Sequence, residues 1–265
     1  MEYSFAKYQG SGNDIIIFDD RDLLFPECTK EIVQKICHRQ YGIGSDGMIL
    51  LRKKEPDLFQ MIFFNPDGSL VDMCGNGIRC LAKFIQSLGI EKEVYRIFSG
   101  GRIYACRITK EGVAVEMEQV QILASPFSLD KEFYCGHLVD SGVPHFIIPV
   151  EDIENIDVDK IGRKLRHHPA FFPGGVNVSF ATLCRSEIKI RTYERGVEGE
   201  TLCCGTAAVA AGFVANKMYE HKAPVTLLPM SGEKIVINIS RKENSEKIEM
   251  VGNAVRTFIG KIEIS

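Results

Sequence analysis

The most constraining feature of this 265-residue chain is a short sequence that occurs once in each half. A cysteine followed by glycine stands before an apolar helical stretch at Cys74-Gly75 and again, 130 positions later, at Cys204-Gly205. After the first, apolar residues recur at helical spacing from Ile78 to Leu88, and Gly89 follows at a typical stop. After the second, residues 207–214 are apolar on all sides, as in a helix buried within a fold. This spacing predicts a duplicated domain whose two helix entrances face each other across a cleft.

The remaining patterns indicate a mixed α/β chain that is rich in antiparallel strands. Residues 113–118 and 235–240 alternate apolar and polar side chains with the period of a strand. The turn sequence Asn65-Pro-Asp-Gly68 separates two short runs, 61–64 and 69–73, and predicts a hairpin. A third helix is predicted over residues 29–39.

Charge and hydropathy exclude several classes of protein. The 32 basic and 35 acidic residues give a formal net charge of −3, so no basic excess is available to neutralise a phosphate backbone. The apolar runs are much shorter than a membrane span, and residues 1–20 carry charged side chains where a signal peptide needs an apolar core. The sequence thus predicts a cytoplasmic protein that binds neither nucleic acid nor membrane.

The nine cysteines are an odd number with irregular spacing, and no disulfide framework is expected. No Cys-x-x-Cys pair and no histidine pair at helical spacing occurs, so no metal site is predicted. In a reducing compartment the default for a cysteine is a buried, inert thiol. We assign this default to all but Cys74 and Cys204, that is, to Cys28, Cys37, Cys80, Cys106, Cys135, Cys184 and Cys203.

A cysteine at a helix entrance lies among unpaired backbone N–H groups, which favour a thiolate and can also hold a carboxylate. The glycine that follows each cysteine lets a ligand approach the backbone closely. If the two entrances face each other, one sulfur can remove the α-proton of a bound carboxylic acid while the other delivers a proton to the opposite face. This scheme predicts a racemase or epimerase that needs no organic cofactor.

Longer motifs surround both cysteines and follow one another along nearly the whole chain. They are Gly10-Ser-Gly-Asn-Asp14, Tyr41-Gly-Ile-Gly-Ser-Asp46, Asn65-Pro-Asp-Gly-Ser69, Met73-Cys-Gly-Asn-Gly-Ile-Arg-Cys80, Pro144-His145, Gly175-Val-Asn-Val178, Tyr193-Glu-Arg-Gly196 and Gly199-Glu-Thr-Leu-Cys-Cys-Gly-Thr206. In this order and combination, the chain resembles the diaminopimelate epimerases.

The resemblance implies a cofactor-independent enzyme that interconverts LL- and meso-2,6-diaminoheptanedioate, a small diamino-dicarboxylic acid, in lysine and peptidoglycan biosynthesis. It implies two pseudo-symmetric α/β domains, each a β-barrel-like mixed or antiparallel sheet around a central helix. The expected domains are residues 1–118, joined by a returning C-terminal strand at 255–265, and residues 119–254. A homodimer is also expected.

The same resemblance assigns the site residues. Cys74 and Cys204 match the catalytic pair, and Arg195 and Glu194 suit the carboxylate and the ammonium of the substrate's second amino-acid head. The other substrate-binding positions are Asn13, Asn65, Gly75, Asn76, Asn177, Gly205 and Thr206. Taken without the resemblance, Glu194 and Arg195 would be a solvated pair and Asn65 a turn former.

The chain departs from the family pattern at several positions. Gly47 stands where the family usually has a substrate-contacting glutamine, and Val143 stands where it usually has an asparagine. Glu198 is a one-residue insertion, and Ala207 replaces a common glycine. Because the two lost polar contacts leave fewer groups unpaired by a poor fit, they predict weaker rejection of related amino acids.

Three alternatives remain open on the sequence alone. One is a racemase or isomerase of the same superfamily, of the proline, hydroxyproline or phenazine-biosynthesis type, although Asn76 stands where proline racemases usually carry histidine. Another is a redox protein in which Cys74 and Cys204 form a reversible disulfide. The third is a binding protein for amino acids, which would not need both cysteines.

Overall fold

The computed structural model of the protein describes residues 1–117, 120–129, 134–242 and 245–264. By its internal contacts the chain divides into two units, residues 1–115 with 252–265 and residues 116–251. Residues 118 and 119, at the predicted domain boundary, lie outside the described residues. No helix in the described part of the chain is long and apolar enough to cross a membrane.

The first part of the chain contains ten strands and helices before the boundary. They are β1 (Glu2–Gly10), β2 (Asn13–Asp19), α1 (Lys30–Cys37), β3 (Gly47–Glu55), β4 (Leu58–Phe64), β5 (Leu70–Val71), α2 (Gly75–Ser87), β6 (Tyr95–Ser99), β7 (Arg102–Ile108) and β8 (Val113–Met117).

The second part repeats this order after one additional strand. Its elements are β9 (Gln121–Leu129), β10 (Tyr134–Asp140), β11 (Pro144–Pro149), α3 (Val158–Arg166), a short 3-10 turn (Pro169–Phe171), β12 (Asn177–Ala181), β13 (Ile188–Glu194), β14 (Gly199–Thr201), α4 (Gly205–Met218), β15 (Val225–Pro229), β16 (Ile235–Lys242), β17 (Ser245–Gly252) and β18 (Val255–Glu263).

The two units share one strand topology. In the first unit β2–β3 and β4–β6 are parallel pairs, and the other pairs, including β1 with β18, are antiparallel. In the second unit β11–β12 and β13–β15 are the corresponding parallel pairs, and β9 pairs with β10 as β18 does with β1. The fold thus confirms the duplication that the Cys-Gly spacing predicts.

One buried helix lies against the sheet of each unit. Helix α2 contacts β1, β2, β3, β4, β6, β7 and β18, and helix α4 contacts β10, β11, β12, β13, β15 and β16. Ten residues of each helix are buried, including nearly all of the first ten positions of α4. The mixed α/β fold with a sheet around a central helix, expected from the family resemblance, is therefore confirmed.

Local signals account for the helix bounds. Helix α2 begins after Cys74, and Gly89, at φ +80°, follows its end as predicted. Helix α1 begins where the Thr29 hydroxyl accepts a hydrogen bond from the Ile32 N–H at 3.4 Å. Helix α3, which the sequence analysis does not predict, begins at Asp157 in the same way, with the Lys160 N–H as donor at 3.0 Å. The predicted hairpin is formed by β4 and β5, which pair antiparallel.

Candidate active site

Cys74 lies at the entrance of α2 with its sulfur at the helix terminus. The residue is the N-cap in an extended conformation, and its Sγ accepts a hydrogen bond from the Gly77 N–H at 3.4 Å. Gly75 and Asn76 form the first turn, where backbone N–H groups have no partner within the helix. The first turn therefore presents a sulfur and amide donors together, as the sequence analysis predicts for this position.

A buried arginine holds this turn in place. Arg79 is fully buried on α2, and its Nη2 donates to Asn76 Oδ1 at 2.8 Å and to Ser11 Oγ at 3.0 Å. Ser11 and Gly12 form the turn between β1 and β2, and Asn13 follows this turn. Gly10 permits this approach, since a Cβ there would lie 3.2 Å from Cys80 Sγ. The interaction brings the Asn13 segment against the start of α2.

The two asparagines predicted in this unit have different surroundings. Asn13 begins β2, and its Oδ1 is buried with no hydrogen-bond partner among the described residues. Asn65 lies in the turn after β4, where its Nδ2 donates to Ser69 Oγ at 3.1 Å and its N–H donates to the Ser69 carbonyl at 2.9 Å. Asn13 thus has an acceptor available for a ligand, whereas the Asn65 side chain is engaged within its turn.

Cys204 occupies the equivalent position at α4, but its electrostatic environment opposes ionisation. Burial raises the pKa of the Cys204 thiol well above its usual value, and the neighbouring Glu194 carboxylate raises it further. Thr206 Oγ1 lies 3.4 Å from the sulfur. The expectation that a helix entrance lowers the thiol pKa is therefore wrong for Cys204, because desolvation and a nearby negative charge outweigh the helix terminus.

Glu194 shares this environment at the end of β13. Its carboxylate accepts hydrogen bonds from the Thr201 hydroxyl and from the Cys204 thiol. Burial raises the pKa of Glu194. The carboxylate and the thiol thus form a hydrogen-bonded pair in which the proton resides on sulfur.

A polar network joins three strand ends to the first turn of α4. His145 on β11 is paired in register with Asn177 on β12, and its Nε2 lies 3.0 Å from Thr206 Oγ1. Asn177 Oδ1 accepts a hydrogen bond from the backbone N–H of Arg195 at 2.8 Å. This contact orients the Asn177 amide so that its Nδ2 lies 3.5 Å from His145 Nε2. The structure thus brings together all the site residues predicted in the second unit: Asn177, Glu194, Arg195, Cys204, Gly205 and Thr206.

His145 is a site residue that the sequence analysis missed, although it noted the Pro144-His145 motif. Its side chain is fully buried and its Nδ1 has no hydrogen-bond partner among the described residues. Burial lowers the pKa of His145 to about 3, and the Arg195 guanidinium contributes to this shift. The imidazole is therefore neutral at the centre of the network.

The depressed pKa of His145 predicts acid sensitivity of the fold. The unfolded chain binds a proton at this histidine below a pKa of about 6.5, while the folded protein does not until about 3. The free energy of unfolding should therefore fall as pH falls below about 6.5. Between pH 7.5 and pH 5, His145 should lower the free energy of unfolding of the wild type by about 2 kcal/mol, at ~1.4 kcal/mol per pH unit. His145→Gln should not show this part of the decrease. Denaturant unfolding at the two pH values measures this difference.

The wild type and His145→Gln are unfolded side by side at both pH values, so that the titrating groups common to the two proteins cancel in the comparison. An equal loss of stability in the wild type and in His145→Gln would contradict the prediction.

Comparisons with known proteins identify the family. The sequence model described as "Diaminopimelate epimerase" matches residues 5–123 and 137–257. The chain is 38% identical to the diaminopimelate epimerase of Aquifex aeolicus, covering 97% of both sequences, and 39% identical to that of Trichodesmium erythraeum, covering 99% of this chain and 100% of the relative. Among solved structures, a Bacillus anthracis phenazine biosynthesis protein of the PhzF family matches with a TM-score of 0.75, full coverage of both chains and 15% identity, which concerns the fold alone. The chain is therefore an isomerase that belongs to the diaminopimelate epimerase family.

Proposed function

We propose that this diaminopimelate epimerase inverts the α-carbon of its substrate with two thiols, Cys74 and Cys204, which act on opposite faces of that carbon. The observation that carries the proposal is the equivalence of the two cysteines in the repeated fold. Each is the N-cap residue of the buried helix in its unit, each has an extended backbone, and each precedes a glycine at the first helical position. A reaction that needs an acid and a base of the same kind would use such a pair.

The surroundings of the two sulfurs support distinct starting roles. Cys204 is held as a thiol by burial and by Glu194, so it is the proton donor. Both sulfurs accept a backbone N–H, from Gly77 at Cys74 and from Ala207 at Cys204, and the Glu194 carboxylate beside Cys204 therefore gives the starting thiolate, which removes the α-proton, to Cys74. After inversion Cys74 carries the proton and Cys204 the negative charge. The reverse reaction then starts from these exchanged protonation states.

The helix entrances and strand ends would bind the substrate. The first turns of α2 and α4, at Gly75 and Asn76 and at Gly205 and Thr206, offer N–H donors to the reacting carboxylate and stabilise the charge that develops on it. The second amino-acid head of the substrate would be recognised by polar side chains, namely those of Asn13, Asn65, Asn177, Glu194 and Arg195. No organic cofactor takes part in this scheme.

Proton NMR in D₂O tests the proposed function. The reduced protein is incubated with LL- and with meso-diaminopimelate, and loss of the α-proton signal is followed together with the isomer ratio. We expect deuterium to enter the α-carbon as the isomers interconvert. Absence of exchange on both isomers, with all thiols titrated as reduced, would contradict the proposal.

We further propose that the enzyme works as a homodimer in the cytoplasm. On β18 the side chains of Phe258 and Ile259 are 49% and 69% exposed, beside a groove lined by Phe5, Phe84 and Leu88. An exposed apolar strand of this kind suits contact with a second copy. Light scattering should give twice the chain mass for the wild type and the chain mass for Ile259→Glu. A monomeric wild type would contradict the dimer.

The cysteines support the proposed location in the cytoplasm. All nine are free thiols, which suits a reducing compartment.

A further inference from the structure

Arg195 lies in the turn of residues 195–198 that joins β13 to β14. The turn is closed by a hydrogen bond from the Glu198 N–H to the Glu194 carbonyl at 2.8 Å. Glu198 has φ +58°, in the left-handed region that a residue with a Cβ rarely adopts. Such a conformation persists only where surrounding contacts hold it, so the contacts of the Glu198 side chain bear on the shape of this turn.

The Glu198 carboxylate binds the residues on both sides of Glu194 and Arg195. Its Oε1 accepts a hydrogen bond from the Gly196 N–H at 3.0 Å, directly after Arg195. Its Oε2 accepts a hydrogen bond from the Tyr193 hydroxyl at 3.4 Å, directly before Glu194. The two residues proposed to bind the second head of the substrate therefore stand between two residues that one carboxylate holds.

Arg166 on α3 joins this turn to the loop before β12. Its Nε donates to Glu198 Oε1 at 3.2 Å, and its Nη1 donates to the Gly174 carbonyl at 3.1 Å. A Cβ added to Gly175 would overlap with Arg166 Nη1, so the guanidinium packs closely against this loop. The Arg166 side chain is 12% exposed, and a partly buried ion pair is screened less by water and salt than an exposed one. One guanidinium thus connects two separate segments of the unit.

The segments that Arg166 connects also contact the proposed substrate-binding arginine, Arg195. A Cβ at Gly174 would lie 3.6 Å from Nη1 of Arg195, so this guanidinium lies beside the loop. The Arg195 N–H donates to Asn177 Oδ1, and the Arg195 charge contributes to the lowered pKa of His145. The guanidinium of Arg195 is therefore placed between the loop and the polar network at the first turn of α4.

We propose that Arg166 and Glu198 are positioning residues whose ion pair orients Arg195 toward the second carboxylate of the substrate. This inference rests on the proposed function, in which Arg195 binds that carboxylate. An arginine binds a carboxylate best through two parallel N–H donors, so a guanidinium that is free to rotate loses part of the interaction. The second head is remote from the reacting α-carbon. Its loss therefore weakens the binding of substrate and transition state equally and raises KM.

The steady-state kinetics of Glu198→Ala test the proposal. The variant removes the carboxylate but also carries a Cβ at φ +58°, so the unfavourable backbone conformation is common to both proteins. A hydrogen bond to a charged group corresponds to about 10- to 150-fold in affinity. We expect KM for diaminopimelate to rise at least about tenfold, while kcat stays within about threefold of the wild type.

Arg166→Lys is a second variant on the other side of the ion pair. Lysine keeps the positive charge but has no planar fork, so it cannot bind Glu198 and the Gly174 carbonyl with the geometry of the arginine. We expect KM for diaminopimelate to rise at least about threefold with kcat nearly unchanged.

A double-mutant cycle with Arg195→Ala separates positioning of Arg195 from a general structural effect. If Glu198 acts through Arg195, Glu198→Ala should lower kcat/KM at least about tenfold in the wild type. In the Arg195→Ala background the same substitution should lower kcat/KM by less than about twofold, because the group that it positions is already absent.

Glu200→Ala is the matched control. Glu200 on β14 forms an arginine–glutamate ion pair with Arg191 in the same hairpin, at 2.6 and 2.7 Å. Arg191 Nη1 also donates to the carbonyls of Ile153 and Ile156, so this pair anchors a different loop. The control should keep KM within about twofold of the wild type. A tenfold rise of KM in Glu200→Ala would overturn the specific assignment to Glu198.

The outcomes separate this inference from the proposed function. A folded Glu198→Ala protein with the KM of the wild type, or an equal loss of kcat/KM in both backgrounds, would overturn the inference alone. If Glu198→Ala does not fold, an unchanged KM in Arg166→Lys would overturn it in the same way. Wild-type kcat/KM in Arg195→Ala would overturn it together with the proposed role of Arg195. Absence of α-proton exchange in the wild type would overturn the proposed function itself.

Discussion

Replacing either Cys74 or Cys204 with alanine should lower kcat for diaminopimelate epimerisation by at least about 10³-fold. Each thiol is proposed to move one proton, and general acid or base catalysis contributes about 10²- to 10⁴-fold. Since inversion needs both transfers, loss of one thiol blocks the reaction from both isomers. The measurement is α-proton exchange and isomer ratio by NMR in D₂O, started from LL- and from meso-diaminopimelate.

Cys203 is the matched control for this pair. It adjoins Cys204 but is 4% exposed and lies outside the helix entrance. Cys203→Ala should keep kcat within about threefold of the wild type, since it removes a packed side chain that moves no proton. Retention of a tenth or more of wild-type kcat by Cys74→Ala or Cys204→Ala would remove that cysteine from the proposed mechanism.

Local sequence signals were sufficient to predict the helix entrances. The Cys-Gly sequences, the apolar periodicity after Cys74 and the stop at Gly89 depend on neighbouring residues, and the structure places α2 and α4 there. Helix α3 also carried local signals, namely the N-cap residue Asp157 and the apolar residues Val158, Ile161 and Leu165 at helical spacing. Its apolar face is narrow, however, and most of its other residues are charged. A weakly apolar helix is therefore the kind that periodicity alone overlooks.

The contacts around the cysteines could not be predicted in this way because they depend on strand pairing. His145 and Thr206 are 61 residues apart and meet only because β11 packs beside α4. Phe63 fills the space at Gly47 because β3 and β4 pair antiparallel with Ile49 opposite Phe63. The raised pKa of Cys204 likewise depends on burial beside Glu194, which lies ten residues earlier in the chain. Sequence patterns indicate the reacting groups, while tertiary packing sets their protonation.

Glu194→Gln should lower the pKa of Cys204 and reduce kcat/KM by about 10- to 100-fold. The carboxylate charge raises the thiol pKa, so a neutral amide of the same shape removes that contribution while it can still accept from Thr201. The loss of activity follows from the proposed contact between Glu194 and the substrate ammonium, because a hydrogen bond to a charged group is worth about 1.5–3 kcal/mol. The pKa of Cys204 is measured from the pH dependence of thiolate absorbance. The signal of Cys204 is the difference between each protein and the same protein carrying Cys204→Ala.

Glu198→Gln distinguishes this effect from a general change of charge. Glu198 is four residues from Glu194, but its carboxylate is bound by Arg166 at 3.2 Å and by the Tyr193 hydroxyl at 3.4 Å. Its replacement should leave the Cys204 titration in place. An unchanged or higher pKa of Cys204 in Glu194→Gln would show that burial alone keeps this thiol protonated. The donor role of Cys204 would then be independent of Glu194, and any loss of activity would come from substrate binding.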